Sequence, residues 1–166
     1  MSNIITIKPF GVENGVGIRT SIFFSGCEFY CKNCFNASSW DFNNGIPYGD
    51  WVIDEISESM NINVSGISIL GGEPMHDRNV NDVLTLVTKY KMKYPEKTIW
   101  LYTGYSYEEL LKSNIKSHIL ENIDVLVDGR FVEELKDLKL RFRGSSNQRV
   151  IDLNKTREFG KVVLYE

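Results

Sequence analysis

All three cysteines of the chain lie within eight residues, where Cys27, Cys31 and Cys34 form a C-x3-C-x2-C pattern. An odd number of thiols cannot all pair internally, and spacings this short make poor disulfide links. Cysteine thiolates are common protein ligands of zinc and of iron–sulfur clusters. The pattern therefore predicts free thiols in a reducing compartment, available to bind a metal.

Three interpretations of this cysteine loop follow from its spacing. A structural zinc site needs four ligands, usually as two separated Cys/His pairs, and the only histidines, His76 and His118, lack that spacing. An iron–sulfur cluster held by three thiolates leaves one iron free for an exogenous ligand, as catalytic metal sites do. Three ordinary buried cysteines are the last interpretation, and the tight clustering disfavours it. The iron–sulfur interpretation is favoured over the other two.

Four predicted strands end in polar turns that contain glycine. The strands are short apolar runs rich in β-branched residues, over residues 20–24, 66–70, 98–102 and 123–127. The turns that follow them are Ser25-Gly26, Gly71-Gly72-Glu73-Pro74, Thr103-Gly104 and Asp128-Gly129. Ligands of parallel sheets bind at the carboxyl ends of the strands. We therefore expect the turns and the cysteine loop to meet at one edge and form the site.

Helical patterns lie between these strands. Apolar residues recur at helical spacing over residues 50–60 and 79–90, and Ser106 with Glu109 forms a capping box that opens a third helix. Weaker strands are predicted over residues 149–152 and 161–164. The alternation of strands and helices predicts the α/β class with a mostly parallel sheet.

The length of the chain limits how this sheet can close. With 166 residues, the chain is too short for an eight-unit βα barrel, which needs about 200 residues or more. No repeat or flexible linker divides the sequence, so we expect a single domain over residues 1–166. The predicted architecture is a partial, open βα barrel.

Composition and charge exclude several classes of protein. The chain has 19 Lys and Arg against 22 Asp and Glu, a net charge of −3, and 42% hydrophobic residues. These values exclude disorder over the whole chain and argue against broad binding of nucleic acid. The sequence lacks both an N-terminal signal pattern and an apolar run of about 18 residues. We expect a cytoplasmic protein that binds neither nucleic acid nor membrane.

The cysteine loop and the Gly71-Gly72-Glu73-Pro74 turn together resemble the radical S-adenosylmethionine (SAM) superfamily. Four further segments resemble one family within it, the activating proteins of anaerobic (class III) ribonucleoside-triphosphate reductases. These segments are Asn14-Gly15-Val16-Gly17-Ile18-Arg19-Thr20, Trp100-Leu101-Tyr102-Thr103-Gly104-Tyr105, Asp124-Val125-Leu126-Val127-Asp128-Gly129 and Arg143-Gly144-Ser145-Ser146-Asn147-Gln148-Arg149. The last segment is the most specific for the family, and the resemblance extends from Ile7 to Asp152. It implies a partial barrel of the radical SAM type.

The resemblance also implies the cofactors and the partner. Cys27, Cys31 and Cys34 would hold a [4Fe–4S] cluster whose open iron binds the amino and carboxylate groups of SAM. A one-electron reductant supplies the electron that cleaves SAM to methionine and a 5′-deoxyadenosyl radical. That radical takes a hydrogen atom from a glycine of the partner, the anaerobic ribonucleoside-triphosphate reductase. The protein then supplies position and exclusion of water, and no further catalytic side chain is predicted.

The predicted SAM site consists of six residues: Asn33, Cys34, Phe35, Gly71, Gly72 and Glu73. Glycines permit close backbone approach, and the Glu73 carboxylate or a backbone carbonyl can receive the SAM ammonium. Many members of the superfamily carry an aromatic residue just before the third cysteine, near the adenine, but this chain has Asn33 there. We expect Phe35 or Tyr30 to replace that aromatic residue.

Other residues near the predicted edge have plainer interpretations. His76 is expected to be a hydrogen-bonded loop residue rather than a catalytic one. Thr103 and Asp128 either contact SAM and the glycine segment or only form turns. Lys139 and Arg141 are expected to lie on a solvated face. The three tryptophans, Trp40, Trp51 and Trp100, are expected in the core or an interface.

An open partial barrel leaves a lateral gap that admits a peptide loop of a large partner, as activation of a glycine requires. Two alternatives remain open at this point. One is a radical SAM enzyme that acts on another glycyl-radical protein or on a small molecule. The other is a non-catalytic zinc or iron–sulfur binding module.

Overall fold

Seven strands and five α-helices make up the protein, and the computed structural model describes residues 1–166. The strands are β1 (Asn3–Gly11), β2 (Ile18–Phe24), β3 (Ile46–Pro47), β4 (Val64–Gly71), β5 (Thr98–Tyr102), β6 (Val125–Asp128) and β7 (Arg149–Asp152). The helices are α1 (Trp51–Ser59), α2 (Val80–Lys93), α3 (Tyr107–Leu110), α4 (Asn114–Leu120) and α5 (Leu153–Phe159). Short 3-10 helices span Ala37–Ser39 and Glu133–Leu135. No helix has the length and apolar character needed to cross a membrane.

All seven strands belong to one mixed sheet in the order β3-β1-β2-β4-β5-β6-β7. The four central strands, β2, β4, β5 and β6, are parallel. Antiparallel pairings occur only towards the edges, where β1 pairs with β2 and β3, and β7 pairs with β6. No pairing joins the two edges, so the sheet stays open. The predicted α/β class and the open, mostly parallel sheet are confirmed.

The predicted strands agree well with the structure in the centre of the sheet. The four central strands match their predicted bounds within two residues, and β7 matches residues 149–152. The strand predicted over residues 161–164 is wrong, because Leu164 makes only an isolated bridge to Ile151. The capping box is confirmed: Ser106 accepts a hydrogen bond from the Glu109 amide at the start of α3.

Helices cover only one face of the sheet. The main core contains 22 buried residues, among them Ile67 and Leu101 from strands and Val83 from α2. The opposite face carries a smaller cluster of Trp100, Val125 and Val127, to which no helix contributes. Successive strand residues point to opposite faces. This alternation sends Leu101 into the main core and its neighbours to the helix-free face.

One of the three tryptophans is a buried core residue, and a second packs half-buried against the core. Trp100 is buried in the cluster on the helix-free face, and Trp51 packs against the main core. Trp40 makes an edge contact with the ring of Tyr30, with the ring centroids 5.1 Å apart. These contacts fit the expectation that the tryptophans are structural.

A buried arginine joins three of the central strands. Arg19 of β2 is 2% exposed and donates hydrogen bonds to the Ile67 carbonyl, 2.7 Å away, and the Thr98 carbonyl, 2.9 Å away. Its Nε donates to Ser68 Oγ, and its guanidinium lies over the Trp100 ring. Burial lowers the pKa of Arg19 to about 10, so it stays charged at neutral pH. Neutral acceptors and an aromatic face therefore compensate this charge.

Candidate functional site

A cavity of about 690 Å³ lies at the carboxyl ends of the four central strands, on the helix-free face. All four strands contribute to its lining: Phe23 from β2, Leu70 and Gly71 from β4, Tyr102 from β5 and Val127 from β6. Pockets for small molecules and cofactors usually enclose about 300–1,000 Å³. The predicted edge of the sheet therefore has a cavity large enough for a cofactor.

The three cysteines line this cavity together. All three thiols are free, with Cys27 buried and Cys31 and Cys34 half-buried. The loop that carries them follows β2 and is anchored by its backbone, since the Gly26 amide donates to the Ser39 carbonyl at 2.7 Å. The Cys27 amide donates to the Trp40 carbonyl at 3.1 Å. The fold thus presents the three sulfur atoms to the same space.

Burial controls the protonation of two of these thiols, Cys27 and Cys31. It raises the pKa of Cys27 to about 11 and also raises the pKa of Cys31, where the charge of Arg130 partly opposes it. The thiolate is the form that binds metals, so binding here must release protons.

No group of three or more His, Cys, Asp or Glu side chains is arranged to hold a single metal ion.

The two glycines at the end of β4 and the start of the following turn allow the polypeptide to pack closely on itself. A Cβ atom at Gly71, where φ is +115°, would lie 2.3 Å from the Phe24 carbonyl oxygen. A Cβ atom at Gly72 would lie 2.6 Å from the Gly26 carbonyl oxygen and 2.8 Å from that of Ser39. Both glycines also line the cavity. They therefore fix the turn against the start of the cysteine loop, a role that the sequence did not reveal.

The carboxylate of Glu73 connects two turns at the edge of the cavity. It is 2% exposed, and its Oε1 accepts a hydrogen bond from the Gly104 amide at 2.6 Å. Its Oε2 accepts from the Met75 amide and from Thr103 Oγ1, both at 2.8 Å. Burial raises the pKa of Glu73 to about 7, although these hydrogen bonds favour the charged form. Through these hydrogen bonds Glu73 links the turn after β4 to the turn after β5, and it also borders the cavity.

Three other residues singled out in the sequence make structural contacts. His76 is a hydrogen-bonded loop residue, as expected, because its Nδ1 accepts from the Arg78 amide at 3.1 Å. Thr103 lines the cavity and donates to the glutamate described above. Asp128 lies outside the cavity lining, where its carboxylate accepts hydrogen bonds from Arg149 and from the Tyr107 amide.

The residues around the third cysteine differ in how they face the cavity. Cys34 and Phe35 line it, whereas Asn33 is exposed, has φ of +56° and does not. Phe35 packs on Phe131, with the ring centroids 5.0 Å apart. Tyr30 lies outside the cavity lining. Of the two aromatic residues proposed to replace the missing one, only Phe35 borders the cavity.

The segment after β6 forms one wall of the cavity. The sequence did not predict this segment as part of the site. Residues 129–148 contribute Gly129, Arg130, Phe131, Asp137, Leu138, Leu140, Phe142, Arg143, Gly144 and Gln148 to the cavity lining. The amide of Gln148 holds this wall together, since Nε2 donates to the Gly129 carbonyl and Oε1 accepts from the Gly144 and Ser145 amides. The feature of the sequence that points to this wall is the polar run Ser145-Ser146-Asn147-Gln148. Lys139 and Arg141 are exposed, as expected.

Comparison with known proteins agrees with this site. The model of a family described as "4Fe-4S single cluster domain" matches residues 13–151. Iron–sulfur clusters are held by cysteine thiolates, which the C-x3-C-x2-C loop supplies at the cavity. The match favours the iron–sulfur interpretation of the cysteines over the zinc interpretation.

Curated relatives narrow the class to one family. A protein of Escherichia coli (strain K12) is 43% identical, over 84% of this chain and 92% of the relative. Proteins of Haemophilus influenzae and Enterobacteria phage T4 are 39% and 34% identical, over 88% and 89% of this chain and 95% and 92% of the relatives. Each is named anaerobic ribonucleoside-triphosphate reductase-activating protein. The chain belongs to this family of activating proteins.

Proposed function

We propose that the protein activates an anaerobic ribonucleoside-triphosphate reductase by generating a glycyl radical on it with SAM. One observation carries the proposal: three free thiols and the glycine-rich turn border one cavity at the carboxyl edge of an open sheet. The relatives named as activating proteins of this reductase support the choice of partner.

The thiols of Cys27, Cys31 and Cys34 fit a [4Fe–4S] cluster, because three sulfur ligands leave one of four irons open for SAM. When bound, the cluster and SAM supply the 5′-deoxyadenosyl radical that takes a hydrogen atom from a glycine of the reductase. The chain contributes the ligands and holds them through the backbone hydrogen bonds of the cysteine loop. All three proposed ligand atoms are sulfur, as an iron–sulfur cluster requires.

The SAM site would lie between the cysteine loop and the turn after β4. Gly71, Gly72 and Glu73 border the cavity there, and their carbonyls or the remaining lone pairs of the Glu73 carboxylate would receive the SAM ammonium. Phe35 borders the cavity as well and is the candidate to contact the adenine. Asn33 as a whole lies outside the cavity lining, so among the proposed SAM contacts it is the one that the cavity does not support.

The open sheet would act as a partial barrel of the radical SAM type. Its two sides approach the same cavity, since Lys8 of β1 and the segment after β6 both contribute lining residues. A gap between them would admit a loop of the reductase, with the glycine brought into reach of the radical carbon. The apolar lining, including Phe23, Leu70 and Phe142, would exclude water from the reaction.

The test is anaerobic purification followed by metal analysis and a radical assay. We expect iron and sulfide in the protein, and a glycyl-radical signal by electron paramagnetic resonance when SAM, a one-electron reductant and the reductase are added. Serine at any of the three cysteine positions should abolish 5′-deoxyadenosine formation, because it removes a cluster ligand.

A reductase whose target glycine is replaced by alanine is the control, and it should give no signal. Zinc without sulfide in the purified protein would contradict the proposal and favour a binding module. Formation of 5′-deoxyadenosine without any radical on the reductase would indicate another substrate.

A further inference from the structure

Arg130, the second residue after β6, carries a charge that no acidic side chain of the protein pairs with. None of the ion pairs of the protein involves Arg130. A hydrogen bond from the Ser106 amide lowers the pKa of Glu109, and the charge of Arg130 adds only a smaller effect there. The charge of Arg130 is therefore available to act on another group.

The guanidinium group of Arg130 lies against the cysteine loop. Its Cζ atom is 4.2 Å from the centroid of the Phe29 ring, and Phe29 stands between Cys27 and Cys31 in the loop. A cation over an aromatic face is attracted by the electrons of the ring. This contact holds the charge beside the loop, although Arg130 belongs to the wall formed by residues 129–148.

The next residue, Phe131, contacts the cysteine loop on the other side of Cys31 and Cys34. Its ring packs on Phe35, which directly follows Cys34, with the ring centroids 5.0 Å apart. The packing is tight, since a Cβ atom at Gly144 would lie 2.8 Å from the Phe35 ring and 3.1 Å from the Phe131 ring. Arg130 and Phe131 together therefore fix the wall against the part of the loop that carries the last two cysteines.

The thiol of Cys31 responds to both residues. Burial and the neighbouring thiol of Cys34 raise the pKa of Cys31, whereas the backbone of Phe131 and the charge of Arg130 lower it. These two residues thus stabilise negative charge on the sulfur atom of Cys31.

A cluster held by three thiolates gains a further negative charge when it is reduced. The reduction potential of an iron–sulfur cluster depends on the net charge around it and on hydrogen bonds to its sulfur atoms. A nearby cation stabilises the reduced state more than the oxidised state, because the reduced state is the more negative one. A fixed positive charge beside Cys31 therefore makes such a cluster easier to reduce.

We propose that Arg130 raises the reduction potential of the cluster through its positive charge beside Cys31. This inference rests on the proposed function, because it needs an iron–sulfur cluster at the three cysteines. The electron comes from the one-electron reductant of that function. Arg130 acts through the cluster and is a positioning residue rather than a catalytic one.

The experiment compares Arg130→Gln, which removes the charge, with Arg130→Lys, which keeps it. The matched control is Arg141→Gln, since Arg141 lies in the same wall segment, 4.8 Å from the centroid of the Phe142 ring, but outside the cavity lining. Each protein is purified anaerobically with its cluster. The reduced fraction is measured by electron paramagnetic resonance at a series of fixed potentials without SAM, together with iron and sulfide content and the melting temperature.

For Arg130→Gln we expect the ratio of reduced to oxidised cluster at a fixed potential to fall about three- to tenfold, a shift of about 30–60 mV for a one-electron couple. Because Arg130 is exposed, this difference should shrink when the ionic strength is raised from about 0.05 to about 0.5 M. Arg130→Lys should keep the wild-type ratio within about twofold, as a charge remains in place. Arg141→Gln should leave the ratio unchanged, and all variants should keep their cluster content and melting temperature.

Four results would overturn the inference. Equal potentials in the wild type and Arg130→Gln would mean that the charge does not act on the cluster. An equal shift in Arg130→Lys would assign the effect to packing on Phe29, and an equal shift in Arg141→Gln to the general charge of the surface. Loss of iron and sulfide from Arg130→Gln would indicate a structural role. Failure of the proposed function is distinguishable, since the wild-type protein would then contain no iron–sulfur cluster to reduce.

Discussion

At the residue scale, Glu73 illustrates how burial and hydrogen bonding oppose each other on one carboxyl group. The amides of Gly104 and Met75 and the hydroxyl of Thr103 all donate to it, which stabilises its charged form. Burial disfavours that form more strongly, and the pKa of Glu73 rises to about 7. The group that joins two turns of the site therefore changes its charge near neutral pH.

This pKa predicts how stability depends on pH. The unfolded chain ionises Glu73 at its ordinary value of 4.5, whereas the folded chain keeps the proton up to about pH 7. The stabilisation from the protonated form is therefore complete below pH 4.5 and is lost as the pH rises through 7. At pH 8 the free energy of unfolding should be lower than at pH 4.5 by about 3 kcal/mol from this group. Urea unfolding of cluster-free protein measures the difference.

Glu73→Gln tests the assignment of this pH dependence. The glutamine cannot ionise, so the component between pH 4.5 and 8 should be absent from the variant. Its amide group must also face a backbone or hydroxyl donor, so the variant should be less stable than the wild type at low pH. Glu96→Gln, at an exposed position, is the control and should keep the wild-type profile. Equal pH dependence in wild type and Glu73→Gln would contradict the assignment.

At the scale of the elements, the ends of β2 and β4 are connected through the glycine-rich turn. The Gly72 amide donates to the Phe24 carbonyl at 2.8 Å, and the Glu73 amide donates to the Gly26 carbonyl at 2.7 Å. These bonds require close backbone approach, which a side chain at residue 72 would prevent. The turn therefore positions the cysteine loop as well as bordering the cavity.

Gly72→Ala should separate these two segments. Its Cβ would lie 2.6 Å from a backbone oxygen of Gly26, which cannot move as a flexible side chain could. We expect a loss of about 2 kcal/mol or more in the free energy of unfolding, together with a reduced iron and sulfide content. Urea unfolding and metal analysis of the anaerobically purified variant measure both effects.

Gly160→Ala is the matched control for this substitution. Gly160 has φ of +69° at the end of α5, and a Cβ there would meet nothing within 4 Å. Only the backbone strain remains, so we expect a loss of about 1 kcal/mol and an unchanged cluster content. A Gly72→Ala variant with the cluster content and stability of Gly160→Ala would refute the positioning role of the turn.

The elements that could be predicted from sequence are those with a strong local pattern. The central strands are continuous apolar runs that end in glycine turns, and α3 begins with a capping box. Strand β1 was missed because it lies towards the edge of the sheet and is mostly half-buried or exposed. Helices α4 and α5 were missed because each has only seven residues. Such elements depend on tertiary contacts more than on local periodicity.

The same distinction applies to the candidate site. The spacing of the cysteines and the glycine-rich turn pointed to one edge of the sheet, and the cavity lies there. Arg19 and Gln148 lie in segments that carry the family resemblance, but nothing in those segments indicates which contacts their side chains make. Their roles arise from partners distant in the sequence, such as Thr98 for Arg19 and Gly129 for Gln148. A single sequence does not contain that information.

At the scale of the whole molecule, the open sheet leaves an apolar residue at the side of the cavity. Leu138 lies in the segment after β6, lines the cavity and is 83% exposed. An apolar side chain at this place has no partner within the chain that would bury it. If the reductase inserts a segment beside it, Leu138 becomes part of the interface core, where apolar residues contribute most to affinity.

Leu138→Lys should therefore weaken the action on the reductase and leave SAM chemistry unchanged. We expect the activator concentration for half-maximal glycyl-radical formation to rise about fivefold or more, because a charge replaces a buried apolar contact. Formation of 5′-deoxyadenosine without reductase should equal that of the wild type. The control is Ile62→Lys, since Ile62 is 94% exposed but lies before β4, outside the cavity lining. Equal activation by the two variants would mean that the reductase approaches the cavity from another side of the sheet.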